Sequence, residues 1–436
     1  MHIAVVGGGL TGMTAAQDLA QAGHQVALFE RDSVLGGLAG SFEVGGTLLE
    51  RFYHHIFTSD RSVLDLIIQL GLGENMEWKP TTTSYYADRV YRLAAPIDVL
   101  RFRPLPFLDR IRFGMLVFQA RFVGDWRPLE GMTAKEWLIR LSGRRVYEQV
   151  WAAMLRGKFG DRAEEISAVW IWNKVKLRGG SRGKSGQERL GYLRGGFGLM
   201  VEALEARLAG LGVAVHKDSP VEVIEPAPEG GFLVRSDGGS TRYDQVLVTT
   251  APELLAEMTP GLPANYRQQL RSIEYMANVC CVLDLDRSLS EVYWLNISDN
   301  RIPFVGLVEH TNIQGPERYG GSHLVYLTRY CDPLDEYYTM SDDELVKAYL
   351  PHIQRIFPQF RPEWVRRSYV WRERYAQPVI ARHYSRLRPD FATPLPGLWL
   401  GCMAQIYPED RGMNYAVEYG HLVAQRILSD GGTHRV

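Results

Sequence analysis

Three clusters of residues have types and spacings able to do chemistry. Gly7, Gly9 and Gly12 follow the apolar run Ile3-Ala4-Val5-Val6, and Glu30 closes a second run, Val26-Ala27-Leu28-Phe29. Gly7 permits a tight turn out of a strand, Gly9 lets a diphosphate approach the backbone, and Gly12 lets the following helix pack on the sheet. Leu10 and Thr11 then sit at a helix start, where free N–H groups and the helix dipole favour negative charge. Glu30 is placed to accept two hydrogen bonds from a ribose diol. The second cluster is Phe52-Tyr53-His54-His55, in which a pair of imidazoles offers acid/base chemistry near neutral pH. The third runs from Gly401-Cys402 through Tyr407-Pro408 to Gly412-Met413, a strand end, an aromatic wall and a second helix start.

These clusters need a scaffold. Residues 1–30 read as a nucleotide-binding βαβ unit, and Arg31 to Leu38, with the pair Gly36-Gly37, follow the ribose acid directly. Residues 95–160 read as helices, with Met115, Val117, Phe118 and Phe122 in one apolar stretch and Trp137, Leu138 and Leu141 in another. Gly179 to Gly186 is a basic Gly/Ser-rich break, expected as a domain crossing or mobile loop. Alternating signals then resume. An amphipathic helix runs through Met200, Leu204, Leu208 and Leu211, and a short strand covers 213–215. Phe232-Leu233-Val234 and Tyr243 to Val248 read as a hairpin-like segment and a buried strand. β-rich runs at 279–285, 292–297, 303–308 and 324–330 predict a separate antiparallel sheet, with a helix capped by Ser341 and Glu344 behind it. Leu398-Trp399-Leu400 reads as a strand, and a last helix carries Val417, Val423 and Ile427.

Composition narrows the partners. A chain of 436 residues with a net charge of −1 has no electrostatic footprint for nucleic acid and is long enough for two or three folding units. Its four cysteines lack disulfide or zinc spacing, so no metal is expected and a reducing, cytoplasmic setting fits. The first strand opens at residue 2 and no uncharged apolar run has membrane-spanning length, so neither a leader nor a bilayer span is expected. Residues 97–126 stand apart. Arg101, Arg103, Arg110, Arg112 and Arg121 interleave with Leu100, Phe107, Phe113 and Phe118, a pattern suited to peripheral contact with an anionic membrane. A pair of helices with solvated arginines would read the same way.

Four blocks give a resemblance over nearly the whole chain: the opening unit with Glu30 and Gly36-Gly37; Leu193 to Gly198 leading to Val221 and Ile224; Tyr243 to Pro252; and Gly397 to Gly401 followed by Tyr407-Pro408 and Gly412. The chain resembles the FAD-dependent amine oxidase, protoporphyrinogen oxidase and phytoene desaturase superfamily. The resemblance implies an α/β fold. Its Rossmann-like FAD-binding domain is built from separated segments (1–80, 190–262 and 366–436), beside an α+β substrate domain with an antiparallel sheet and a helical insertion (81–189 and 263–365). It also implies non-covalent FAD, with Glu30 on the adenosine ribose, Val221 contacting adenine through its backbone, and Gly401 and Met413 along the diphosphate and flavin. A helix start near Gly412 and Met413 could stabilise negative charge at the flavin's pyrimidine edge.

The segment from Phe52 to Thr58 is also similar to one beside the flavin in UDP-galactopyranose mutase, which matches His55 to that family's histidine. Two departures stand out: Cys402 occupies the place of the superfamily's usual acid, and the lysine that many amine oxidases set near the flavin has no clear match. A redox thiol and a small buried residue are both open readings of Cys402. The expected function is an FAD-dependent oxidase, dehydrogenase or desaturase taking hydride from a hydrophobic or polycyclic small molecule, with His55 and His54 as acid/base candidates and Tyr53 and Tyr407 facing the substrate. The alternatives are a redox-neutral enzyme acting on a nucleotide-linked or lipid-linked sugar, and a non-catalytic lipid carrier of the same fold.

Overall fold

The computed structural model describes residues 1–81, 83–93, 96–180 and 189–431. Most of the Gly179 to Gly186 break therefore lies outside the described residues. Five short apolar strands form a parallel sheet in the order Leu398–Leu400, Gln245–Val248, His2–Val6, Gln25–Phe29 and Ala214–His216. The strand residues are almost wholly buried except along the edge strand Ala214–His216: helices cover one face, and the three-stranded sheet Val221–Pro226, Phe232–Ser236 and Gly239–Tyr243 covers the other with the helices Pro252–Met258 and Ala264–Arg271. Contributions from residues 2–29, 214–248 and 398–400 make this a nucleotide unit assembled from separated stretches of chain.

The opening helix, Leu10–Gln21, is held against both the sheet and the last helix, Met413–Gly431. A Cβ on Gly12 would stand 2.0 Å from the Gly7 carbonyl oxygen, and one on Gly420 would stand 2.7 Å from that of Thr11. Only glycine permits both approaches.

The second sheet has seven strands, in the order Val365–Pro378, Tyr275–Leu285, His323–Cys331, Gly306–Glu309, Trp294–Ile297, Thr83–Tyr86 and Val90–Arg92. It is antiparallel except where Trp294–Ile297 runs alongside Thr83–Tyr86. The helix Asp342–Ile356 starts with the expected Ser341/Glu344 capping box and buries Leu345, Tyr349, Ile353 and Ile356 against one face of the sheet. Val365–Pro378, which the segment division places with the nucleotide unit, instead pairs with Tyr275–Leu285 along ten residues of register.

Helices from Pro96–Arg101 to Ala168–Gly180 form a unit with its own core around Trp137, Leu138, Phe159 and Trp170. In Phe107–Ala120, Phe113, Leu116 and Ala120 are buried, whereas Met115 and Phe118 point outward. No helix among the described residues is long and apolar enough to cross a membrane.

Candidate functional site

A cavity of about 750 Å³ runs between the two sheets. Gly7, Gly9, Leu10, Thr11, Glu30, Arg31, Gly36, Gly37, Leu38 and Val221 line one end, and His54, Arg411, Gly412 and Met413 line the other. Most of the residues proposed from sequence thus share one enclosure.

The first end is built from backbone. Gly7 has φ of +113°, and its amide donates to the Phe29 carbonyl at 2.8 Å, so the turn is pinned to the second strand. Glu30 accepts from the Gly8 amide at 2.7 Å and the Asp32 amide at 3.0 Å. A carboxylate has about four acceptor sites, so it can still take a diol. No side chain among the described residues caps Leu10–Gln21, which leaves its first amides for an anion. A Cβ on Gly9 would meet nothing within 4 Å, whereas one on Gly37 would lie 3.3 Å from the Gly9 Cα. The second glycine pair thus closes over the first turn and leaves the approach above Gly9 open. This cradle suits a dinucleotide diphosphate, and the residues present fit FAD.

Six of the proposed residues, Gly12, Tyr53, His55, Gly401, Cys402 and Tyr407, lie away from the cavity wall. Gly401 packs where a Cβ would stand 3.0 Å from Val423. Cys402 is buried beside it, with its amide donating to Gln405 Oε1 at 2.7 Å, and burial pushes its thiol up to about 12. That favours the small buried residue over the redox thiol, because the reactive form is the thiolate. The turn Met403–Gln405 swings Met403 and Ile406 into the wall instead. Tyr407 faces the helical unit, donating to Glu130 at 3.0 Å and packing on Trp126. His55 sets its ring edge-on to Phe57 and Trp294, behind His54. Gly12 lies beneath the turn as the seat of the helix.

The second end is a connected polar cluster. His54 Nδ1 is 2.6 Å from the Phe52 carbonyl, and burial lowers the imidazole pKa to about 4, so it is neutral near pH 7. Arg411 Nη2 donates to the Tyr330 hydroxyl at 2.7 Å and its Nε to Gln377 at 3.0 Å. Tyr53 stands behind, its hydroxyl 3.5 Å from that of Tyr330. Burial acts to raise the Tyr330 pKa, but Arg411 and Lys158 outweigh it and bring it down to about 8. Lys158 Nζ sits 4.8 Å from the Tyr330 ring centroid. It keeps some accessible surface, yet the protein around it disfavours the ammonium form and lowers its pKa to about 8. The nearby carboxylate, Asp410, is committed: it accepts from Trp170 at 3.1 Å and Gln377 at 3.2 Å and is paired with Lys174.

Sequence reasoning missed Arg411, although it abuts the proposed Gly412. It also missed Trp371, Arg372, Glu373 and Tyr375, which line the cavity from Val365–Pro378. Across the cavity mouth Arg31 lies 3.9 Å from Glu373. Glu309 and His310, at the end of the strand Gly306–Glu309, form an internal network, with Glu309 on Ser288 and Ser290 and His310 on Tyr319.

Comparison with known proteins agrees with this architecture. The chain is 23% identical to 15-cis-phytoene desaturase of Glycine max, over 99% of this chain and 80% of that one. A structure assigned as a protoporphyrinogen oxidase from Exiguobacterium sp. 255-15 superposes with a TM-score of 0.79 at 17% identity, covering 98% of this chain and 99% of its own. Reduced UDP-galactopyranose mutase superposes with a TM-score of 0.76 at 15% identity, over 98% and 95% of the two chains. The model of the flavin containing amine oxidoreductase family matches residues 10–428. The chain belongs to that family and is an FAD-dependent oxidoreductase.

Proposed function

We propose that this enzyme takes hydride from a neutral, apolar small molecule held at the Arg411 end of the cavity. The observation that carries this reading is the charge of that end: Arg411 lines it with Lys158 behind, and Asp410 beside them is shared with Lys174, which leaves the group of four net positive. A protonated amine would meet like charge, which in a partly desolvated site is strongly unfavourable. Likeness to a phytoene desaturase supports the same choice.

In this reading Glu30 holds the ribose diol, the amides of Leu10 and Thr11 hold the diphosphate, and the backbone at Val221 meets the adenine. Gly412 and Met413, at the start of the last helix, lie by the flavin ring. Bound FAD supplies the hydride acceptor. His54, neutral at physiological pH, orients the donor, and Trp371, Met403 and Ile406 exclude water. The test is anaerobic: flavin absorbance is followed while the holoenzyme is offered apolar polyenes or polycycles and, separately, primary amines. Bleaching by the apolar donors is expected. Bleaching by amines alone would overturn the reading.

We further infer peripheral membrane contact through residues 97–126. Of the thirteen large apolar side chains exposed among the described residues, eight fall between Ile97 and Phe122, including Phe107 at 62%, Leu108 at 69% and Phe122 at 72%. Such a concentration beside several arginines fits a surface resting on anionic lipid, from which an apolar donor would enter. Co-sedimentation with anionic vesicles, lost in Phe107→Ser/Phe118→Ser, is the expected result.

A further inference from the structure

A second cavity, of about 660 Å³, opens on the substrate side between the strands Thr83–Tyr86 and Val90–Arg92, the loop at 103–104 and the helix Ala152–Phe159. We propose that it is a pocket for the phosphodiester head group of an anionic lipid, a proposal that rests on the membrane contact inferred above. Its position is the first argument. Arg103 and Pro104 line it, and Arg103 precedes the exposed Phe107 by four residues, so their Cα atoms are no more than about 14 Å apart. A lipid whose chains run beside Phe107 and Leu108 has its phosphate within reach of this opening.

Charge is the second. Arg89, Arg103, Arg156 and Arg301 line the pocket, as do the carboxylates of Asp88, Glu148 and Asp299. Each carboxylate is already engaged. Asp299 pairs with Arg301 at 2.7 Å and Arg355 at 3.6 Å, and Glu148 with Arg144 at 3.9 Å. Asp88 accepts from Tyr91 and lies beside Arg89. Arg103 and Arg156 are exposed and have no carboxylate partner among the described residues. Two uncompensated guanidinium groups facing one cavity match the two non-bridging oxygens of a phosphodiester, which guanidinium grips with paired donors and ammonium does not.

The experiment separates the pocket from general attraction. Wild-type holoenzyme, Arg103→Lys/Arg156→Lys and Phe107→Ser/Phe118→Ser are titrated with vesicles of phosphatidylcholine alone and of equal parts phosphatidylcholine and phosphatidylglycerol. The lysine pair keeps the charge and loses the fork, so a pocket predicts binding to the anionic vesicles about tenfold weaker than wild type. Equal binding by wild type and the lysine pair would overturn the pocket and leave the membrane contact standing. Failure of the wild type to bind either vesicle would overturn both.

Discussion

The two ends of the central cavity are built from different materials. The end proposed to hold the adenosine is backbone geometry: a turn with Gly7 at φ +113°, helix amides left open, and a carboxylate clamped by the amides of Gly8 and Asp32. The end proposed to be reactive is made of side chains brought from afar, with His54 and Arg411 at the wall and Tyr330 and Lys158 behind them, from four regions of the chain. Backbone sites are local in sequence and serve any substrate. Side-chain sites are non-local and can be retuned without disturbing cofactor binding. The two ends should therefore fail differently.

The largest failure belongs to the adenosine end. Gly12→Val places carbon against the Gly7 carbonyl, where a Cβ would already stand at 2.0 Å. A loss of at least about 3 kcal/mol of stability is expected, with FAD lost as well, read by denaturant titration and flavin retention. Glu30→Ala removes an acceptor shared by two amides and the proposed diol. FAD affinity should fall about 30-fold, measured by flavin fluorescence, while the protein stays folded.

The reactive end should answer in rate and pH. Deprotonation of Tyr330, near pH 8, would offset the Arg411 charge beside the donor. The rate of anaerobic flavin reduction should show an alkaline limb near that pH, to which Lys158 also contributes, and Tyr330→Phe/Lys158→Met should abolish it. His54, with a pKa of about 4, is already neutral across this range and adds no limb. If the limb persists in the double variant, the cluster does not set the pH dependence.

The smallest effect lies outside both ends. His421 Nδ1 meets Asp18 at 2.6 Å, tying the last helix to the first, and this contact raises the imidazole pKa above its ordinary 6.5. A raised folded pKa means that the contribution is whole below pH 6.5 and is lost as pH rises through the higher folded value. The pair is partly exposed, so His421→Ala should cost only about 0.5 kcal/mol at acid pH and nothing at pH 9. Melting temperatures at the two pH values check the sign.

The same contrast governs what could be read from sequence. Gly7, Gly9, Gly36, Gly37 and Glu30 were legible because a turn, a close approach and an acid at a strand end each restrict residue type within a few positions. Gly401 and Cys402 were misplaced because a single short turn after the strand rotates them inward and brings Met403 and Ile406 to the wall. His55 was preferred to His54, yet a one-residue shift in an irregular segment decides which ring faces the cavity, and periodicity is silent there. Tyr330 and Lys158 reach Arg411 only through the pairing of strands far apart in the chain, which no local spacing encodes.

The central claim is that cofactor holding and hydride chemistry occupy separate ends of one cavity. Its most direct test is Arg411→Gln, measured as holoenzyme for both FAD affinity and the anaerobic rate of flavin reduction by an apolar donor. The account predicts affinity within about threefold of wild type and a rate lower by about a hundredfold, the usual effect of removing one charge-stabilising donor. Lost affinity with the rate of the remaining holoenzyme intact would contradict it.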